Sequence, residues 1–241
     1  MVATSCGEVD IVRLLLEHGT VDVNAKDRNG DTALTLASFS GRLGVVSALL
    51  RDNKIDVNTY GKMNRTALMA ATLRGKVDIV RLLLEHDTVN VNAKDRDGNT
   101  CLMLASKEGD VDVLQLLLKH EMLDVNALNA KGHSAFYVAS IFGHWDVVEV
   151  LSHQSIDVNI RSMHGYTALF WATLSGRLDA VSMLLKHKAV DTSLRSRAGS
   201  TILDVARSLE MFDIVKCLEN HANASLRDSL LLAQSGSQLN S

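Results

Sequence analysis

Proline is absent from all 241 residues, although ordinary usage of about 5% would supply roughly 12. That absence excludes collagen-like and Pro-rich architectures and most linker-rich ones. Aromatic residues make up only 4% of the chain, few for a large globular core. The three cysteines, Cys6, Cys101 and Cys217, are far apart and show no CxxC or Cys…His ligand spacing, so neither a disulfide framework nor a zinc site is indicated. No run approaches 18 apolar residues, and the first residues lack the basic start and apolar stretch of a secretory signal, so neither a membrane span nor an export signal is read. An excess of one charge is also lacking. The 25 Lys+Arg stand against 28 Asp+Glu, a net −3, which disfavours bulk binding to nucleic acid or an anionic membrane. These features suggest a reducing, intracellular compartment, with a cytoplasmic address expected and the nucleus left open. The 46% hydrophobic content excludes disorder by composition.

A strict period fills the chain. Thr32-Ala33-Leu34 returns as Thr66-Ala67-Leu68, Thr100-Cys101-Leu102, Ser134-Ala135-Phe136, Thr167-Ala168-Leu169 and Thr201-Ile202-Leu203, at steps of 34, 34, 34, 33 and 34 residues. Asp22-Val23-Asn24 and a glycine (Gly7, Gly41, Gly75, Gly109, Gly143, Gly176) keep the same register. Each period reads as two short helices and a turn. Thr66 caps a first helix with Leu68, Ala71 and Thr72 on one face, and Gly75 ends it. Val77 to Leu84 form a more apolar second helix, and Asp95-Arg96-Asp97-Gly98 is turn chemistry. Small residues at the sixth place after the anchor (Ser38, Thr72, Ser106, Ser140, Thr173) allow close helix approach. A helix pair this short cannot bury its own apolar face, so stacking must supply the core.

The pattern DxxGxTxLxxAxxxG…VxxLL…DVN, seen from Asp27 through Asn58, resembles the ankyrin repeat and covers about residues 1 to 221. The resemblance implies an all-α repeat solenoid of about six to seven stacked helix–turn–helix units with β-hairpin loops. The family's T-P-L-H box has lost both its Pro and its His in every repeat. Losing the Thr–His bond of that box implies less rigid hairpin-to-helix junctions. The repeat Asn (Asn24, Asn58, Asn92, Asn126, Asn159) is expected to support the hairpin loop. Its hydroxylation, known in the family, is compatible with Leu16…Asp22-Val23-Asn24.

The solenoid is expected over residues 1–224. The chain opens inside a repeat, because Ala3 and Gly7 align with Ala37 and Gly41. That start suggests a fragment, an edge covered by a partner with self-association through it, or simply a frayed repeat. A capping helix at Ser225 to Ala233 and a flexible tail from Gln234 to Ser241 complete the expected layout, with the cap's leucines on the last repeat.

No phosphate loop, HExxH, GxSxG or kinase signature occurs, so no catalytic residue, metal site or cofactor is assigned. Six histidines (His18, His86, His120, His153, His187, His221) share one repeat position. They read as a ladder at second-helix C-termini, where a cation meets free carbonyls.

The resemblance implies a non-enzymatic protein-interaction scaffold, with a partner on the concave face of hairpins and inner helices. A second reading makes the chain the recognition arm of a larger enzyme or receptor. Residues not fixed by the repeat concentrate large apolar groups in the fourth and fifth units: Ile141, Phe142, Met163, Tyr166 and Leu174, beside His164. Tyr137 and Phe170, in the place of the box His, are expected to extend the patch. Trp145 and Trp171 are assigned to the core. The first three units are basic at the same positions, including Arg65, Arg74 and Lys107. The expected partner is a protein or peptide, acidic and carrying large apolar anchors.

Overall fold

The computed structural model describes residues 1–238. They form two compact units, one of residues 1–156 and one beginning at Asp157. In the first unit, five helix pairs follow one another: α1 (Val2–Cys6) and α2 (Val9–Glu17), α3 (Ala33–Ser40) and α4 (Leu43–Leu49), α5 (Ala67–Leu73) and α6 (Val77–Leu84), α7 (Cys101–Glu108) and α8 (Val111–Leu118), α9 (Ala135–Phe142) and α10 (Trp145–Ser152). The second unit holds α11 (Ala168–Leu174) with α12 (Leu178–Leu184), and α13 (Ile202–Ser208) with α14 (Phe212–Gln238). First helices stack on first helices and second on second: α1–α3–α5–α7–α9 and α2–α4–α6–α8–α10 in one unit, α11–α13 and α12–α14 in the other.

The repeated anchors build this. Each anchor hydroxyl (Thr32, Thr66, Thr100, Ser134, Thr167, Thr201) accepts the backbone N–H three residues on, satisfying a donor that the helix start leaves free. Leu34, Leu68, Leu102 and Phe136 follow the anchor into the core, and Leu49, Leu83, Leu117 and Leu151 meet them from the second helices. Burial of such a side chain contributes about 1.5–3 kcal/mol. Ser38, Thr72, Ser106, Ser140 and Thr173 are all buried between stacked first helices, so the small-residue column lets backbones approach. Gly109 permits a similar approach: at φ +74° it lies under the next repeat's His144, whose Nδ1 would stand 2.5 Å from an added Cβ.

The hairpin loops are tight turns, and among the described residues no strand forms. Asp27 N–H donates to Asp31 O (2.8 Å), and the same closure recurs from Gly61 to Arg65, Asp95 to Asn99, Asn129 to His133, Ser162 to Tyr166 and Ser196 to Ser200. Isolated bridges, Lys26 with Thr32 and Arg195 with Thr201, are the β character present.

The repeat asparagine does more than support its own loop. Asn58 Nδ2 donates to Thr88 O (2.7 Å), while its Oδ1 accepts Asn90 N–H (2.8 Å). Asn24, Asn92 and Asn159 make the same pair of bonds to the following repeat. One side chain therefore staples consecutive loops through both of its polar atoms.

Two expectations need revision. The segment from Ser225 to Ala233 is not a separate helix but continues α14, which runs unbroken to Gln238 and so also takes in part of the expected tail. The leucine packing expected there, and residues 239–241, lie outside the described residues. Trp171 is 39% exposed rather than in the core, because its slot in the repeat is filled elsewhere by the smaller Ala70, Leu104 and Val138. Trp145 is half-buried.

Candidate partner-binding face

Turn tips and first helices carry the side chains that the repeat leaves free. In the first unit two cation–aromatic pairs bridge neighbouring repeats. Arg74 lies over the ring of Phe39 at 5.0 Å, and Lys107 over that of Phe142 at 5.9 Å. The register explains both. The seventh place after one anchor meets the eighth place after the next, with aromatic then cation in the first pair and cation then aromatic in the second. Phe142 also stacks on His144, 6.4 Å between centroids at 5°. That imidazole is fixed by Nε2 against Lys107 O at 2.8 Å. Phe39 and Phe142 remain about half exposed (48% and 50%), so each ring keeps a surface for contact.

The predicted apolar residues divide between the units. Ile141 and Phe142 belong to the first, and Met163, His164, Tyr166, Phe170 and Leu174 to the second. Met163 and His164 are exposed at a turn tip, Tyr166 is half-buried, and His164 and Tyr166 rings lie 6.4 Å apart. Ile141 and Leu174 are half-buried on their helices. Tyr137 and Phe170 do not extend an exposed patch, since each retains only 4% exposure. Both sit at the third helical position and fold back over the residue before the cap. Tyr137 stacks on His133 at 4.3 Å, and Phe170 on Tyr166 at 4.8 Å. They fill the place of the missing box histidine by packing. Sequence reasoning passed over the partners His133 and His144 and the ring of Phe39 beside Arg74. The seven-to-eight register between repeats was the available signal.

Arg74 and Lys107 are exposed and Arg65 is half-buried. Among the described residues the ion pairs are Arg13–Asp10, Arg177–Asp179 and Arg207–Glu219, and none involves these three cations. Carboxylates with displaced acidity serve the turns and caps. The backbone N–H of Asp31 holds Asp27 below its usual range, the Ser193 hydroxyl does the same for Asp191, and the Thr201 backbone N–H for Asp204. Burial pushes the Cys101 thiol up to about 12, which keeps it a neutral thiol in the core.

The histidine ladder differs from expectation. At His86, His120 and His187 the ring Nδ1 faces the backbone N–H two residues on (3.4, 3.3 and 3.3 Å), so the ring is engaged with the loop that follows the helix. His221 lies within α14 and not at a helix end. Among the described residues no group of three or more His, Cys, Asp or Glu could hold a metal ion. Nor does any described helix have the length and apolarity to cross a membrane.

Comparison with known proteins agrees with this architecture. The family model described as "Ankyrin repeats (3 copies)" matches residues 1–61, 58–129, 88–162, 121–196 and 137–228. Comparison with curated proteins gives no significant match. Among solved structures, the chain is similar to the ankyrin repeat domain of Bcl-3, described as a unique member of the IkappaB protein family. The two share 26% identity with a TM-score of 0.80, over 89% of this chain and 96% of that one. Ankyrin repeats generally serve as protein–protein interaction modules. With the family model matched over nearly its whole length, the chain belongs to the ankyrin-repeat family.

Proposed function

We propose that this chain is a non-enzymatic interaction module that captures an acidic protein segment bearing large apolar anchors. The segment is held on the face formed by turn tips and first helices. The observation that carries this reading is the pairing of half-exposed aromatic rings with cations that are in no ion pair among the described residues: Phe39 with Arg74, and Phe142 with Lys107. A solvated surface gains little from an aromatic ring left open beside a cation. A partner gains both an apolar contact and a carboxylate site. In the second unit Met163 (49% exposed) and Tyr166, with His164 beside them, offer further anchors. The half-buried Ile141 and Leu174 contribute the flanks of their faces. Tyr137 and Phe170 act beneath the surface, as platforms for His133 and Tyr166.

The test is capture from native cell extract by wild type and by the Phe142→Ala/Tyr166→Ala variant, followed by affinity measurement on the recovered protein. If these are hot spots, affinity falls by over about 2 kcal/mol. Equal recovery and equal affinity would remove both residues from the interface.

A further inference from the structure

The second repeat's turn is built differently from the others, and it overhangs a groove of about 340 Å³ between α3 and α5. Leu36, Phe39 and Ala70 give the groove its apolar lining, Met63 stands over it, and Lys62 and Arg65 supply cations. In neighbouring turns the first residue caps its own loop: Asp95 Oδ1 accepts the N–H groups of Asp97 (3.0 Å) and Asn99 (2.8 Å), with Gly98 at φ +79°. In the second repeat the first residue is Gly61, and Asn64 stands where the glycine belongs. Asp31 Oδ1 of the preceding repeat takes the N–H of the turn's second residue, Lys62, at 2.8 Å, a donor that in the next two turns goes to a backbone carbonyl (Arg96 to Met63 O, Ala130 to Asp97 O). A Cβ at Gly61 would lie 2.5 Å from that same oxygen, so this bond requires glycine there.

The turn holds two non-glycine residues in the left-handed region, Met63 at φ 60° and Asn64 at φ 57°. Neighbours hold them in place. Asn64 Nδ2 donates to Lys94 O (3.1 Å), and Met63 O accepts Arg96 N–H (3.1 Å). Methionine is poorly suited to that conformation, yet its thioether side chain is 42% exposed at the groove. Strain held by surrounding bonds at a displayed side chain is a mark of function. The electrostatics are independent of the strain. Arg65 Nε is buried with no hydrogen-bond partner. The groove's carboxylate, Asp31, is already engaged by Lys62 N–H and lies 3.5 Å from the Thr35 hydroxyl. An apolar slot edged by Lys62 and Arg65, neither of which is in the ion pairs found among the described residues, suits an apolar group joined to a carboxylate.

The geometry points to this groove as an anchor site: it takes one large apolar side chain of the acidic partner between Phe39 and Met63, with an adjacent carboxylate on Arg65. This rests on the interaction-module reading, but its test needs no partner. The intact chain, carrying ¹³C-methyl methionine, is titrated with 3-phenylpropionate, with 3-phenylpropanol as the uncharged control. Expected is a saturable shift of the Met63 methyl with no shift at the exposed Met122, and binding of the acid about tenfold tighter than the alcohol. Arg65→Gln should bring the acid down to the alcohol's affinity. Three results would each overturn the assignment: no saturable shift at Met63, equal affinity for acid and alcohol, or unchanged acid binding in Arg65→Gln. The acid–alcohol comparison on wild type stands even if the variant folds poorly. A saturable Met63 response together with failed partner capture would sink the module and leave the groove. Partner capture with no Met63 response would do the reverse.

Discussion

Asn58 illustrates how much of this protein's order hangs on single polar side chains at the loops. Its amide spans two repeats, donating to Thr88 O and accepting from Asn90 N–H. Asn58→Ala deletes both bonds and leaves the Asn90 amide without its acceptor. The expected cost is about 1–3 kcal/mol, at a net 0.5–1.5 kcal/mol per bond. Hydrogen exchange should read it locally, as faster exchange of the Asn90 amide. Unchanged protection there would show that water replaces the side chain at no cost. Met63 gives the opposite case. Glycine accepts φ 60° without strain, so Met63→Gly should stabilise the chain by up to about 1 kcal/mol, net of glycine's greater unfolded freedom. The same change removes the thioether from the groove, so stability and groove binding should move in opposite directions. A destabilised Met63→Gly would mean that the side chain's contacts outweigh the backbone strain.

At the scale of the element, the question is how helix starts survive the loss of the box histidine. The six junctions answer in three ways. The first and last regain a reciprocal cap: Thr32 N–H donates to Thr35 Oγ1 and Thr201 N–H to Asp204 Oδ2, both at 2.8 Å. The fourth and fifth use stacked aromatics, and Met69 and Met103 leave the second and third with the hydroxyl cap alone. Rigidity is therefore not lost uniformly, as the sequence had suggested. Asp204 makes one junction sensitive to acid. The Thr201 N–H holds its pKa below the usual 3.8. A carboxyl so depressed stabilises the fold above its unfolded value and loses that contribution as pH falls through the lower folded value. Asp27 and Asp191 are shifted the same way. The melting temperature should therefore hold from neutral pH down to the carboxylate range and decline below it. Asp204→Asn, which still accepts a bond, should lessen that decline. A variant whose acid profile matched wild type would discount the cap.

The same junctions show what the sequence discloses. Helix pairs, anchors and core leucines were legible because a 34-residue period repeats the same burial at each turn, with the anchor, the Asp-Val-Asn element and the glycine holding one register. Tyr137, Phe170 and Trp171 were misplaced because exposure at those positions depends on how one side chain folds over its neighbour. The stack of Tyr137 on His133 and the bulk of an indole in a slot sized for Ala, Leu or Val are three-dimensional facts that period alone does not carry.

At the scale of the whole molecule, a net charge of −3 conceals a local surplus of opposite sign. Lys62, Arg65, Arg74 and Lys107 share the tip-and-first-helix face of residues 1–156, and none of them is in the ion pairs found among the described residues. A partner drawn there by charge and held by apolar contact should show two separable dependences. Salt screens exposed charges over a Debye length of about 10 Å at 0.1 M, so wild-type affinity should fall severalfold between about 0.05 and 0.3 M NaCl. Arg74→Ala with Lys107→Ala should flatten that dependence, with the loss concentrated in the association rate. Phe39→Ala with Phe142→Ala should lower affinity at every salt concentration and leave the slope as it was, with the loss in the dissociation rate. If instead the aromatic variant changed the slope, the rings would be acting only by positioning Arg74 and Lys107. The face would then be an electrostatic surface and not a set of apolar anchors.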